Sequence, residues 1–161
     1  MKALIVGIDG QIGSALAESL RQGGFNVHGT SRRSTNGKDV SRLDLSELGD
    51  LTGLPSCDVA FLCAAETRLA TCRNDLTATA LINVVAPVTI ARHLVGRGCF
   101  VIFLSSNAVF DGAVPHRSAD SPMCPTTPYG EQKAATERQI MGLGYSVAVL
   151  RLTKVLTPTL A

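Results

Sequence analysis

A short apolar run, Lys2-Ala3-Leu4-Ile5-Val6, leads directly into Gly7-Ile8-Asp9-Gly10-Gln11-Ile12-Gly13, and no other stretch restricts the fold as much. The run reads as a buried strand. A helical pattern follows from Ser14 to about Gln22, with Leu16 and Leu20 inward, until Gly23-Gly24 stops it. A strand that meets a helix through a glycine turn lets backbone approach a pyrophosphate closely and seats that anion on the helix N-terminus. The spacing here is G-x-x-G-x-x-G, which differs from the G-x-G-x-x-G of the common dinucleotide fingerprint.

The same alternation continues down the chain. Residues 25–30 read as a second strand and Val40 to Leu45 as a third, followed by a weak helix around 46–51. Cys57-Asp58-Val59-Ala60-Phe61-Leu62-Cys63 has the continuous apolar character of a strand buried on both faces. A long helical segment spans roughly Asp75 to Arg97, and Pro87 is expected to kink or interrupt it. Residues 99–104 form the clearest strand, a Pro-rich loop covers 111–128, a helix runs from Tyr129 to about Met141, and a last strand covers 146–150. Strands alternating with helices imply an α/β, doubly wound parallel sheet with right-handed crossovers. Residues 1–161 are expected to form one domain of this Rossmann type.

In such a sheet, ligands bind beyond the carboxyl ends of the strands. The unusual polar clusters fall there: the glycines, Thr30-Ser31-Arg32-Arg33, Asp44, Ala64-Ala65-Glu66, Ser105-Ser106-Asn107 and Arg151-Leu152-Thr153-Lys154. At the end of the second strand an NAD site usually carries an acid for the ribose 2′-hydroxyl. Here two guanidiniums stand instead, which suits a 2′-phosphate and predicts NADP(H) over NAD(H).

Tyr129-Gly130-Glu131-Gln132-Lys133 places a phenol and an ammonium on one helical face, one turn apart. A fixed cation lowers a phenol's pKa, and a fall of about three units corresponds to roughly 4 kcal/mol. Such a group suits acid–base catalysis near neutral pH. On spacing alone, an exposed helix face with a surface lysine is the commoner meaning. A serine at the end of a central strand can hydrogen-bond a substrate carbonyl or simply cap a turn.

Composition narrows the classes. Hydrophobic residues make up 45% and charged residues 17% of the chain, so a sizeable buried core is expected. The net charge of +2, with scarce aromatics, argues against nucleic acid. The N-terminal apolar run is too short for a signal peptide, and no apolar stretch is expected to span a bilayer. The five cysteines include no C-x-x-C pair and read as small buried hydrophobes in a reducing, cytoplasmic setting. His28, His93 and His116 lack ligand spacing, so no metal is expected.

Taken together, the motifs resemble those of the short-chain dehydrogenase/reductase superfamily, in its extended, sugar-nucleotide branch. The likeness is greatest to dTDP-4-dehydrorhamnose reductases and related NAD-dependent epimerase/dehydratase proteins. The segments Gly7–Gly13, Ser105-Ser106-Asn107-Ala108-Val109-Phe110-Asp111-Gly112, Tyr129–Lys133 and Val149–Val155 carry it in the branch's order. The resemblance implies catalytic roles for Ser106, Tyr129 and Lys133, with Lys133 also holding the nicotinamide ribose. It implies cofactor contacts from Gly7, Asp9, Gly10, Gln11, Ile12, Gly13, Ser31, Arg32 and Arg33. Further contacts are implied from Asp44, Leu45, Cys63, Ala64, Ala65, Tyr129, Lys133, Leu152 and Val155, with Asn83 as a brace. The expected activity is NADP(H)-dependent reduction of a keto-sugar nucleotide, with epimerase, dehydratase or a non-catalytic NADP(H)-binding module as alternatives. The oligomeric state stays open, a homodimer included. Members of this branch carry a smaller C-terminal domain for the nucleotide-sugar, and this sequence ends about where it would begin. Glu66, Thr67, Asn107 and the loop 112–127 remain as substrate contacts.

Overall fold

The computed structural model describes residues 1–33, 37–153 and 155. Its strands are β1 (Lys2–Val6), β2 (Asn26–Ser31), β3 (Val40–Arg42), β4 (Val59–Leu62), β5 (Phe100–Ser106) and β6 (Val147–Leu152). They form one six-stranded sheet in the order β3-β2-β1-β4-β5-β6, every pairing parallel. The order reverses between β1 and β4, which is where a doubly wound sheet opens its ligand crevice.

Alternation along β1 sorts the core into two layers. Leu4 and Val6 join Ala60, Leu62, Val101 and Phe103 under helices α4 (Ala86–Gly96) and α5 (Pro128–Met141). Ala3 and Ile5 face the other way, with Val27 and Val59, against Ala17 of α1 (Gln11–Gln22). Helix α1 starts one turn earlier than its apolar pattern suggests, because the glycine turn itself supplies its first residues.

The expected helix at 46–51 does not form. Asp44 accepts from the Ser46 amide at 3.0 Å and from its hydroxyl at 2.6 Å, and Asp50 accepts from the Thr52 amide at 2.9 Å. Such side-chain-to-backbone bonds give the chain an alternative to helix, while Leu51 and Leu54 still reach the core. A short helix, α2 (Leu69–Asn74), precedes the long helical segment, in a stretch to which the sequence assigns no element.

Pro87 does not break its helix. Residues run without interruption from α3 (Leu76–Ala80) through a π turn (Leu81–Val85) into α4, where Pro87 lies in the first turn. A proline cannot donate to the carbonyl four residues back, here that of Asn83. Thr136 of α5 fills the gap, its hydroxyl donating to the Asn83 carbonyl at 2.7 Å. Leu76–Gly96 is therefore one helix of 21 residues, which by length and composition alone is long and apolar enough to cross a membrane. This corrects the expectation that no stretch reaches that length. Here Ala86, Pro87, Val88, Ile90, Ala91 and Leu94 are buried within the protein.

Candidate active site

At the switch point, Gly7 has φ +89, and a Cβ there would stand 2.7 Å from the Ala64 Cβ. The turn thus needs both a left-handed residue and the space of an absent side chain, pressed against the strand-end of β4. The Gly7 and Ile8 amides donate to the Thr30 carbonyl at 3.0 Å each, tying the turn to β2. The amides of the first turn of α1 have no acceptor within the helix, and Gln11, Ile12 and Gly13 line a cleft of about 640 Å³. Gly7, Asp9, Gly10, Ser31, Arg32, Arg33, Asp44, Leu45, Cys63, Ala64 and Ala65 line the same cleft, as do Glu66 and Thr67.

The polar groups of this cleft are linked. Ser31 donates its hydroxyl to Asp9 at 3.0 Å and accepts from the Arg33 amide at 3.0 Å, while the Arg33 guanidinium lies 3.8 Å from Asp9. Bonds from Ser46 hold the Asp44 carboxyl below the usual carboxylate range, with Arg32 and Arg42 acting in the same direction. Glu66 is held by Arg68 in a two-pronged ion pair, with both nitrogen–oxygen distances 3.1 Å.

The second group of candidates sits at the end of β5. Thr127 caps α5 by accepting from the Gly130 amide at 3.1 Å, and Pro128 occupies the first turn. A Cβ on Gly130 would run into the Ala108 carbonyl and stand 3.1 Å from Pro125. Only glycine lets α5 approach the turn after Ser106 so closely, and this sets Tyr129 near enough to Ser106 for the serine to act on the phenol. Gly130 stands inside the motif, but helical spacing alone gives it no role.

Ser106 also does what an isolated strand-end serine does: its Oγ accepts from the Ala108 amide at 3.2 Å and caps the short 3-10 turn Asn107–Val109. Its remaining bond, to Asn107 Oδ1, is long at 3.4 Å, so its proton is readily redirected to another acceptor.

Lys133 is 3% exposed and donates to the Leu104 carbonyl at 2.9 Å. Its ammonium lies 4.5 Å from the Phe103 ring centroid and 5.9 Å from that of Tyr129. Burial pulls its pKa down to about 8, against Glu137 and Cys63, which favour the cation. Tyr129 departs from expectation. Burial pushes its phenol up, Cys72 adds to this, and only Ser106 works downward. Desolvation dominates, and Lys133, whose ammonium donates to Leu104, is not among the groups that shift the phenol.

Asn83 stands at the centre of a hydrogen-bond network. Its Oδ1 accepts from the Glu66 amide at 2.9 Å, and its Nδ2 donates to the Glu66 carbonyl at 2.9 Å and to Gln132 Oε1 at 2.8 Å. Gln132 in turn donates to Thr79 at 2.8 Å. One buried network thus fastens the cleft wall after β4 to the helix that carries Tyr129 and Lys133.

Four implied cofactor contacts, Tyr129, Lys133, Leu152 and Val155, do not line the first cleft, and Tyr129 and Lys133 line neither. Leu152 lines a second cleft, of about 910 Å³, with Asn107, Phe110 and residues 114–119, and Val155 is 44% exposed and lines neither cleft. In this structure β6 ends at Leu152, on the side of β5 away from β1, so these residues stay clear of the glycine turn. The candidate substrate contacts divide in the same way, Glu66 and Thr67 on the first cleft and Asn107 on the second.

A parallel 3-2-1-4-5-6 sheet with a glycine turn at its switch point and a Ser-Tyr-Lys set beside it defines a Rossmann-type domain of the extended short-chain reductase kind. More narrowly, the chain belongs to the RmlD substrate binding domain family, whose model matches residues 1–159. This is a sugar-nucleotide-related, NAD(P)-binding reductase family. The chain is 32% identical over 153 residues to methionine adenosyltransferase 2 subunit beta of Xenopus tropicalis, covering 94% of this chain and 46% of that protein. It is also similar to MoeE5 in complex with UDP-glucose and NAD, at 29% identity and a TM-score of 0.80, over 92% of this chain and 52% of that one. The fold matches that of a Bacillus anthracis dTDP-4-dehydrorhamnose reductase in complex with NADP, at 19% identity and a TM-score of 0.79, over 94% of this chain and 53% of that one. The chain spans about half the length of the curated relatives it matches.

Proposed function

We propose that this chain is the cofactor-binding part of an NADP(H)-dependent reductase of a keto-sugar nucleotide. The observation that carries the reading is the convergence of Ser106, Tyr129 and Lys133 at the end of β5, fastened through Gln132 and Asn83 to the wall of the dinucleotide cleft. The cleft suits the cofactor: Gly7, Gly10 and Gly13 bring backbone to its wall at the start of α1, and Arg32 and Arg33 stand where a 2′-phosphate would need cations.

A bound nicotinamide supplies the hydride. Tyr129 stays protonated at neutral pH, which is the form that gives a proton to a carbonyl oxygen as it becomes an alcohol. Ser106 hydrogen-bonds that oxygen and stabilises its developing charge. Lys133 keeps a cation behind the phenol and orients the ribose. Burial of the phenol suits reduction better than oxidation, since oxidation needs the phenolate.

A second reading, an NAD(P)-binding module without turnover, draws support from the relatives named as a subunit of a methionine adenosyltransferase. One assay separates the two. The protein oxidises NADPH with a dTDP-4-keto-6-deoxy sugar, and Tyr129→Phe lowers turnover by about 10²- to 10⁴-fold while NADPH affinity is unchanged. Unchanged turnover in the variant defeats the Tyr129 assignment. Tight NADPH binding with no oxidation by the unaltered protein favours the module.

A further inference from the structure

At the end of the sheet away from both clefts, two cysteines meet. Cys57 lies two residues before β4 and Cys99 one residue before β5. Their sulfurs are 2.7 Å apart, well inside the separation of two non-bonded sulfur atoms. Strand register explains the meeting. Val59 pairs with Phe100, and the Phe100 amide donates to the Asp58 carbonyl at 2.9 Å, so Cys99 lies beside Asp58 and next to Cys57 on the neighbouring strand. Cys99 is 1% exposed, whereas Cys57 is only partly buried and within reach of a small solute.

We propose that Cys57 and Cys99 form a reversible dithiol–disulfide pair, closed by a hydroperoxide, that clamps the segment after β3 to the start of β5. Their chemistry divides the roles. The contact with Cys99 lowers the Cys57 thiol pKa, and Arg97 acts the same way, while burial and Asp58 oppose them. The Cys99 thiol is raised by that same contact and by burial. Cys57 is the attacking thiolate and Cys99 the resolving thiol.

In the first step the Cys57 thiolate attacks one peroxide oxygen. The O–O bond breaks, the leaving hydroxide takes a proton to become water, and Cys57 becomes a sulfenic acid. The Cys99 sulfur then attacks the Cys57 sulfur, forming the S–S bond and breaking the S–O bond. The hydroxyl leaves with the Cys99 proton as a second water. Two thiols are oxidised by two electrons, and one hydrogen peroxide is reduced to two waters.

The other three cysteines lack such a partner among the described residues: Cys72 donates to the Glu66 carbonyl, and burial pushes the Cys63 thiol up to about 12. The pair was invisible in sequence, since the two stand 42 residues apart with no C-x-x-C spacing.

The test is peroxide treatment of the reduced protein, followed by intact mass and a non-reducing peptide map. The expected product has lost about 2 Da, for two thiol hydrogens, carries a Cys57–Cys99 linked peptide and regains the mass with dithiothreitol. Its melting temperature is higher than that of the reduced form, since the bridge restricts the unfolded chain. Cys57→Ser, at the partly exposed position, loses no mass in this way. A bridge mapped to other cysteines, no bridge while peroxide overoxidises Cys57, or an equal mass loss in Cys57→Ser overturns the proposal. So does a lower melting temperature on bridging, which would mean that the sulfurs are not placed for a bond.

Discussion

The two ends of the crevice are built from different materials. The dinucleotide end is made of backbone amides, a glycine turn and partly or largely exposed side chains such as Arg32, Arg33 and Asp44. The Tyr129 end is made of buried polar side chains, Lys133, Gln132, Thr136, Thr79 and Asn83, each bonded to another element. A cleft of the first kind changes its ligand preference when a surface side chain changes. A site of the second kind loses its shape first. Substitutions at the two ends should therefore separate binding from stability.

The largest effect is expected at Gly130. Gly130→Ala forces a methyl group into the Ala108 carbonyl, and neither α5 nor the 3-10 turn can move without breaking the Thr127 cap or the Ser106 cap. Overpacking against backbone should cost about 3 kcal/mol or more in urea unfolding. Gly49→Ala, where a Cβ meets nothing within 4 Å, is the control and should stay within about 0.5 kcal/mol. Equal effects at the two glycines would show that α5 does not depend on close approach.

Lys133 comes next and sharpens the contrast through pH. Its folded pKa of about 8 lies below the ordinary 10.5, so burial penalises the cation and the unfolded chain binds more protons between these values. Stability from this group therefore rises as pH climbs through that window. Relative to Lys133→Met, the unaltered protein should gain up to about 3 kcal/mol between pH 8 and 10.5. A flat difference across that range would mean that Lys133 is solvated.

How much of this was legible in the sequence depends on the same division. All six strands were visible: β1, β4 and β5 are buried and leave apolar runs, the glycine turn dictates a helix after β1, and the alternation places the others. The residues lining the dinucleotide cleft could be found because each group is contiguous and sits at a strand end. The Ser106–Tyr129 meeting depends on Gly130 and Ala108, and the brace depends on Asn83, Gln132 and Thr136, which are far apart in the chain. Pro87 was misleading for a physical reason: the carbonyl it strands is satisfied from another helix. The direction of the Tyr129 shift was misread because spacing gives the distance to a cation but not the desolvation around the phenol. Leu152 and Val155 were placed by motif alone, and the strand that carries them leads away from the glycine turn.

The smallest effect should fall at the arginines, and it tests whether the open end acts through charge. Arg33 is not wholly available to a ligand, since Asp9 lies 3.8 Å from its guanidinium and Ser31 holds its amide. Arg32 faces Asp44 and Glu66, whose carboxyls it helps to keep ionised. A 2′-phosphate entering this cluster gains two guanidiniums but meets the carboxylates of Asp9 and Asp44, so the net gain is modest. Arg32→Ala with Arg33→Ala should weaken NADPH binding by about tenfold or a little more, with NADH binding changed by less than about twofold. Melting should hardly move, because both side chains are exposed. Equal weakening of both cofactors in a fluorescence titration would show that the arginines serve the pyrophosphate or the fold instead. Asp9→Asn, which keeps the Ser31 bond but removes the competing charge, should then shift NADPH affinity in the opposite direction.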